Sequence, residues 1–158
     1  LKEASHIVLI NSFFNFIPTN NERNITLRTL RRMEKKINTL EVRFMLEEFI
    51  NRSFMPNQVD IKFKSIFNLK SKQINLKNLL KDFQKLYLQK STFSLFSKNT
   101  DILVIKSKND LILKDYASDE FVYLLNNSQI NKPKLVQIEG QGHLIDNSCI
   151  VKILKDWL

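Results

Sequence analysis

Lys134-Leu-Val-Gln-Ile-Glu-Gly-Gln-Gly-His-Leu-Ile145 is the stretch on which the reading of this chain turns. A short apolar run, Leu135 to Ile138, leads into Gly140, Gln141, Gly142 and then His143. The whole sequence holds 2 glycines, and both lie in this turn. Glycine serves where the backbone must take positive φ or pass close to another segment, so the pair marks a shaped turn that presents an imidazole. The plainer alternative is a tight strand-to-helix connection with His143 an exposed loop residue.

A second stretch decides between them. Asp101-Ile-Leu-Val-Ile-Lys-Ser-Lys-Asn-Asp-Leu111 repeats the design, with an apolar, β-branched strand from Ile102 to Ile105 and then a polar turn ending in Asp110. A helix-length segment separates the two strands. One strand then delivers a carboxylate from its C-terminal end and the next delivers a histidine into the same crevice. A carboxylate that accepts from Nδ1 holds an imidazole in the tautomer whose Nε2 can take a proton from a nucleophile. Asp110 and His143 are therefore the candidate catalytic pair.

With these residues in view, the chain resembles the C-terminal portion of the α/β-hydrolases, whose triad partners run in the chain order Ser, Asp or Glu, His. Ser107-Lys-Asn-Asp110 is similar to the family's Gly-x-x-Asp turn after the seventh strand. Gly140-Gln-Gly-His143 is similar to its small-x-Gly-His turn after the eighth. The layout is most similar to the branch of pimeloyl-carrier-protein methyl ester carboxylesterases, in which a helical cap precedes the Asp-bearing strand. Two positions depart from the pattern: Ser107 stands where glycine is usual and Lys114 where proline is usual. The resemblance implies a cytoplasmic serine carboxylesterase of biotin synthesis with no cofactor, acting on an acyl ester that an acyl carrier protein could present.

A serine nucleophile is not legible in these residues. The family's Gly-x-Ser-x-Gly turn needs small neighbours, and glycines at 140 and 142 alone leave no serine in such a motif. Ser12 follows the strand-like run Ile7 to Ile10 but has Ile10 and Phe14 two residues away on either side. Ser5 precedes that run. The expectation is that the nucleophile, the oxyanion loop and the first strands lie on polypeptide upstream of Leu1.

Length and composition bound the rest. A chain of 158 residues can bury one core, roughly two-thirds of its unfolded surface, yet it is short for a complete hydrolase of this type. With Leu1 rather than methionine at its start, it reads as one incomplete domain. The hydrophobic and charged fractions, 43% and 26%, are ordinary for a globular chain. No stretch approaches the roughly 18 unbroken apolar residues of a membrane span, and no signal pattern opens the chain. A single cysteine, Cys149, excludes an intrachain disulfide and favours a reducing compartment; it reads as a packing residue.

The formal charge of +9 raises the question of nucleic acid. Lysines spread through every segment, with no zinc-ligand spacing, RNA-binding aromatic motif or continuous basic block, argue against it. An acidic protein partner fits a positive surface better.

In chain order, residues 1–18 read as a core strand, His6 to Asn11 buried on both faces, followed by a loop whose Phe13 and Phe14 are candidate substrate-binding residues. His6 reads as structural. Residues 19–90 read as a helical cap. Its first helix places Leu27, Leu30, Met33 or Glu34, and Ile37 on one face and Arg28, Arg31, Arg32, Lys35 and Lys36 on the rest. Asn38 and Glu41 are expected to cap the next helix, Pro56 to break it, and two more helices to follow around residues 59–69 and 76–86. Residues 91–158 read as core again. They hold a polar link over 91–99, the Asp110 strand, a crossover helix from Asp115 to Asn127, the His143 strand and a final helix with Val151, Ile153, Leu154 and Trp157 inward. The fold class is α/β: three parallel strands with crossover helices and an inserted cap.

Two functions of different kinds follow. The first is the cap and acid–base half of a serine esterase. The second is a non-catalytic remnant of the same fold that binds an acidic protein partner through the cap.

Overall fold

The run Ile-Leu-Val-Ile at 102–105 is apolar at every position, which suits a parallel strand covered on both faces. In the computed structural model, which describes residues 4–39, 41–88, 100–128 and 131–158, it is the centre of the sheet. Strand β1 (His6–Ile10) and strand β3 (Lys134–Ile138) flank strand β2 (Asp101–Ser107), all parallel, in the order β1-β2-β3. Val8 pairs with Leu103, and Ile105 pairs with Ile10 on one side and Val136 on the other. Ile102, Leu103, Val104 and Ile105 are all buried.

Side chains alternate across a strand. Ile102 and Val104 accordingly pack together against helix α5 (Asp115–Ser128) through Phe121 and Leu125, with Leu9, Phe14 and Val122 closing the cluster. Lys106, also buried, turns its ammonium to the carboxylates of Asp119 at 2.7 Å and Asp115 at 3.3 Å. A buried cation without partners carries a large desolvation cost, and the two helix aspartates offset it.

The outer strands differ from expectation. Strand β1 was expected to be buried on both faces; His6 and Ile10 are exposed and the residues between them half-buried. The reason is that, among the described residues, β1 has β2 on one side and no strand on the other. Strand β3 is likewise an outer strand, and Leu135 keeps 48% of its surface exposed.

Between β1 and β2 lie α1 (Arg23–Ile37), α2 (Val42–Phe54), α3 (Ile61–Ser71) and α4 (Leu76–Leu88), the four helices expected of a cap. Leu30 and Ile37 of α1 and Met45 of α2 are buried. Glu34 of α1 accepts from Gln84 Nε2 at 3.0 Å and Tyr87 OH at 3.3 Å, joining α1 to α4. Burial, reinforced by the Glu34 charge, pushes the Tyr87 phenol up to about 12. Thr26 and Tyr116 hydroxyls meet at 3.1 Å and join α1 to α5.

The expected capping of α2 by Asn38 and Glu41 is not what forms. Asn38 Nδ2 instead donates back to Glu34 O at the end of α1, and Glu41, already in helical conformation, makes no side-chain cap. Thr39 Oγ1 accepts from the Glu41 amide in its place. Helix α3 is capped by Asp60, which accepts from the Phe63 amide, yet no residue of α3 is fully buried.

The last helix, α6 (Asn147–Trp157), is capped by Asp146. Ile153, Leu154 and Trp157 are half-buried as expected, with Trp157 edge-on to His6 at 5.4 Å. Val151, expected inward, is 49% exposed, because it lies on the flank of α6 turned away from those three. The link at 91–99 lies outside the described residues. No helix among the described residues is long and apolar enough to cross a membrane.

If the β2–α5 cluster is the core, Leu125→Ala should lower the unfolding free energy by about 2–5 kcal/mol. Leu135→Ala on the exposed face of β3 should cost under about 1 kcal/mol, with urea denaturation as the measurement. Equal losses would show that the core lies elsewhere.

Candidate active site

A parallel sheet releases all its strands at one edge, so the turns after β2 and β3 and the loop after β1 emerge together. Asp110 and His143 meet there: Asp110 Oδ2 lies 2.7 Å from His143 Nδ1. The Asp110 side chain is 7% exposed and that of His143 is 25% exposed. A carboxylate only accepts, so Nδ1 carries the proton and Nε2 presents a lone pair. The other carboxylate oxygen, Oδ1, accepts from the amides of Ile112 and Leu113, each at 2.8 Å. Asp110 is thus held by its own following turn before it touches the imidazole.

The two turns are fastened to each other. Lys108 N donates to Ile138 O and Gly140 N to Asn109 Oδ1, both at 2.9 Å. Lys108 Nζ pairs with Glu139, and its hydrogen bond and charge hold that carboxyl below the usual range. Ser107 is buried and its hydroxyl donates to Gln141 O. The Ser107 hydroxyl therefore supplies a link between the two turns that a glycine at this position could not make.

The glycines have separate duties. Gly140 takes φ +70°, a left-handed conformation that disfavours side chains. Gly142 lies against the end of α2, where an added Cβ would sit 2.6 Å from Ser53 O and closer still to Met55 O. Leu144 N donates to Ser53 O at 2.8 Å, and Asn57 Nδ2 donates to Gly140 O at 3.0 Å. The histidine turn is thereby docked on the cap as well as on the sheet. The α2 contact was not foreseen; the absence of a side chain at Gly142 was its only mark in the sequence.

Phe14 and Phe13 divide. The Phe14 ring packs on the β2–α5 cluster. Phe13 meets Phe16 edge-on at 5.6 Å, in the loop after β1. Asp115 and Asp119 pair with Lys106 rather than with the histidine. Cys149 is a free thiol in the first turn of α6, and no trio of metal-ligating side chains occurs among the described residues.

Among the described residues no hydroxyl donates to His143 Nε2. Ser12 Oγ donates to Ile10 O, Ser53 Oγ to Phe49 O and Ser107 Oγ to Gln141 O. No protein-family profile matches the chain, and a search of curated proteins finds no match.

Gly142→Ala should force the α2 carbonyls away from the turn and destabilise the protein by about 1–3 kcal/mol. Hydrogen exchange at the Leu144 amide is the local readout. It should lose protection in Gly142→Ala and keep it in Gly140→Ala, which strains the backbone of its own residue but whose added Cβ meets nothing within 4 Å. Unchanged protection in both variants would mean that α2 does not anchor the turn.

Proposed function

We propose that this chain is the acid–base half of a serine carboxylic ester hydrolase of the α/β-hydrolase type. The observation that carries the reading is the Asp110–His143 pair, in which Nδ1 is engaged by the carboxylate and Nε2 is left for a proton donor to reach. In this reading a serine hydroxyl on polypeptide beyond these residues gives its proton to His143 Nε2 as its oxygen attacks an ester carbonyl. Asp110 orients the ring and balances the imidazolium charge. His143 then returns the proton to the leaving alcohol. Water, deprotonated by the same nitrogen, cleaves the acyl-enzyme and releases the acid. The helices α1–α4 and Phe13 shape the acyl side of the site. The substrate that the sequence resemblance implies is a pimeloyl-carrier-protein methyl ester, which places the reaction in biotin synthesis.

A second reading has its own support. No hydroxyl among the described residues reaches Nε2, and α1 exposes Arg28, Arg31, Arg32 and Lys35. A non-catalytic module of the same fold, holding an acidic protein on that helix, accounts for both.

Intact-mass measurement of the native protein from its source, before and after a fluorophosphonate that labels activated serines, separates them. The hydrolase reading expects a species heavier than the 18.7 kDa of this chain that gains one adduct, abolished by His143→Ala. An unlabelled species of 18.7 kDa would leave the binding module.

Within the labelled protein, Asp110→Asn should lower ester turnover by about 10⁴-fold, as expected for a histidine left in the wrong tautomer. Asp115→Asn should stay within about fivefold, because Asp115 lies away from the imidazole and Asp119 still pairs with Lys106. Comparable losses in kcat/KM would overturn the assignment of Asp110.

A further inference from the structure

Asn11, the residue after β1, bonds to the end of β2 and to the histidine turn at once. Its φ is +41°, a left-handed value that asparagine tolerates better than most residues. Its side chain is buried, with 6% of the residue exposed. Its backbone amide donates to Ile105 O at 2.9 Å, the last bond of the β1–β2 ladder. Its Oδ1 accepts from the Ser107 amide at 2.8 Å, where β2 leaves the ladder and turns toward Asp110. Its Nδ2 donates to the carbonyl of His143 itself at 2.7 Å, with a longer approach of 3.4 Å to Gly142 O.

We propose that Asn11 is the positioning residue of the Asp110–His143 pair, one amide that sets the root of the aspartate turn and the peptide plane of the histidine at once. This rests on the reading of that pair as an acid–base dyad. The chemistry demands an amide. Ser107 N needs an acceptor and His143 O needs a donor, and at this length asparagine is the one side chain that offers both. Aspartate offers acceptors only and would face the two carbonyls with a charge. Glutamine is a methylene too long for a buried cleft already filled. A residue that merely joined strand ends would need neither the donor nor the left-handed turn that aims it across to the third segment.

The test is the imidazole signal of His143 in the 15N-labelled full chain. The native protein should show a ring proton on Nδ1, slow to exchange with water, and a Nε2 shift typical of a free lone pair. Asp110→Asn gives the reference for its loss. Asn11→Gly suits the backbone and removes both side-chain bonds. It should speed Nδ1 proton exchange by about tenfold or more, the weight of a lost orienting hydrogen bond, while the Leu103 and Ile105 amides stay protected. Asn11→Asp keeps the acceptor, so the Ser107 amide should remain protected while Nδ1 proton exchange speeds up as in Asn11→Gly.

Retention of native Nδ1 exchange in either folded variant overturns the proposal, even if its melting temperature falls, because a purely structural residue lowers stability without touching the ring. Should Asn11→Gly fail to fold, Asn11→Asp decides alone. Fluorophosphonate labelling is read separately, on the native protein from its source. No adduct with an Asn11-dependent ring signal sinks the hydrolase reading and keeps the positioning role. An adduct with an Asn11-independent signal does the reverse.

Discussion

Parallel pairing along β2 is the constraint from which the site follows. Once Ile105 is paired with Ile10 on one side and Val136 on the other, the chain has three exits at one edge within two strand spacings. Whatever residues stand at those exits must meet. Asn11, Asp110 and His143 stand there, and their hydrogen bonds are possible only in that register. Because side chains alternate across a strand, a slip of one residue in β3 would turn its side chains to the opposite face and shift the histidine turn along the edge. Burial of Ile102 to Ile105 therefore bears on the site as well as on stability, since it pins the register that brings the carboxylate to the imidazole.

A second constraint acts from above the sheet. The end of α2 is packed on Gly142, takes the Leu144 amide, and sends Asn57 to Gly140. Backbone against backbone is a stiff contact, because neither partner has rotamers with which to yield. The turn that carries His143 is thus clamped between a cap helix and the strand ends. The end of α2 cannot lift from the turn without breaking these two hydrogen bonds.

Much of this was legible in the sequence, and the reasons are local. An unbroken apolar run marks a central parallel strand, and two glycines beside a histidine in a chain otherwise without them mark a turn under steric demand. The order aspartate turn, helix, histidine turn was equally plain, and α1 and α4 carry clear helical periodicity. What failed depended on neighbours. Burial of β1 depends on a further strand, and the position of Val151 on the helix surface depends on what α6 packs against. The Asn38 and Glu41 pattern lost to a back-bond from Asn38 to Glu34 and to Thr39, because a side chain at a helix junction can serve the helix it ends as well as the one that follows. Asn11 reads in the sequence only as the last residue of the first strand, whereas the strand ends at Ile10 and Asn11 turns out of it at φ +41°. Its partners lie far along the chain, where no spacing rule reaches.

The competing carboxylates show why chain position alone is a poor guide to a dyad. Asp115 and Asp119 follow Asp110 closely, yet the strand parity of β2 directs Lys106 to the α5 face, and that buried ammonium claims both. Asp110 is left for the histidine because its own turn has already spent one oxygen on the Ile112 and Leu113 amides. A carboxylate with one oxygen fixed has lost most of its rotational freedom before it meets a partner, so little further entropy is lost in holding the imidazole. Asparagine at 110 would keep an acceptor for those two amides and could still reach the ring. It would then present an N–H where His143 Nδ1 also presents one, and the imidazole would have to turn or change tautomer. A second acceptor oxygen, which asparagine of the same shape lacks, is what lets Asp110 hold the Nδ1 proton of His143.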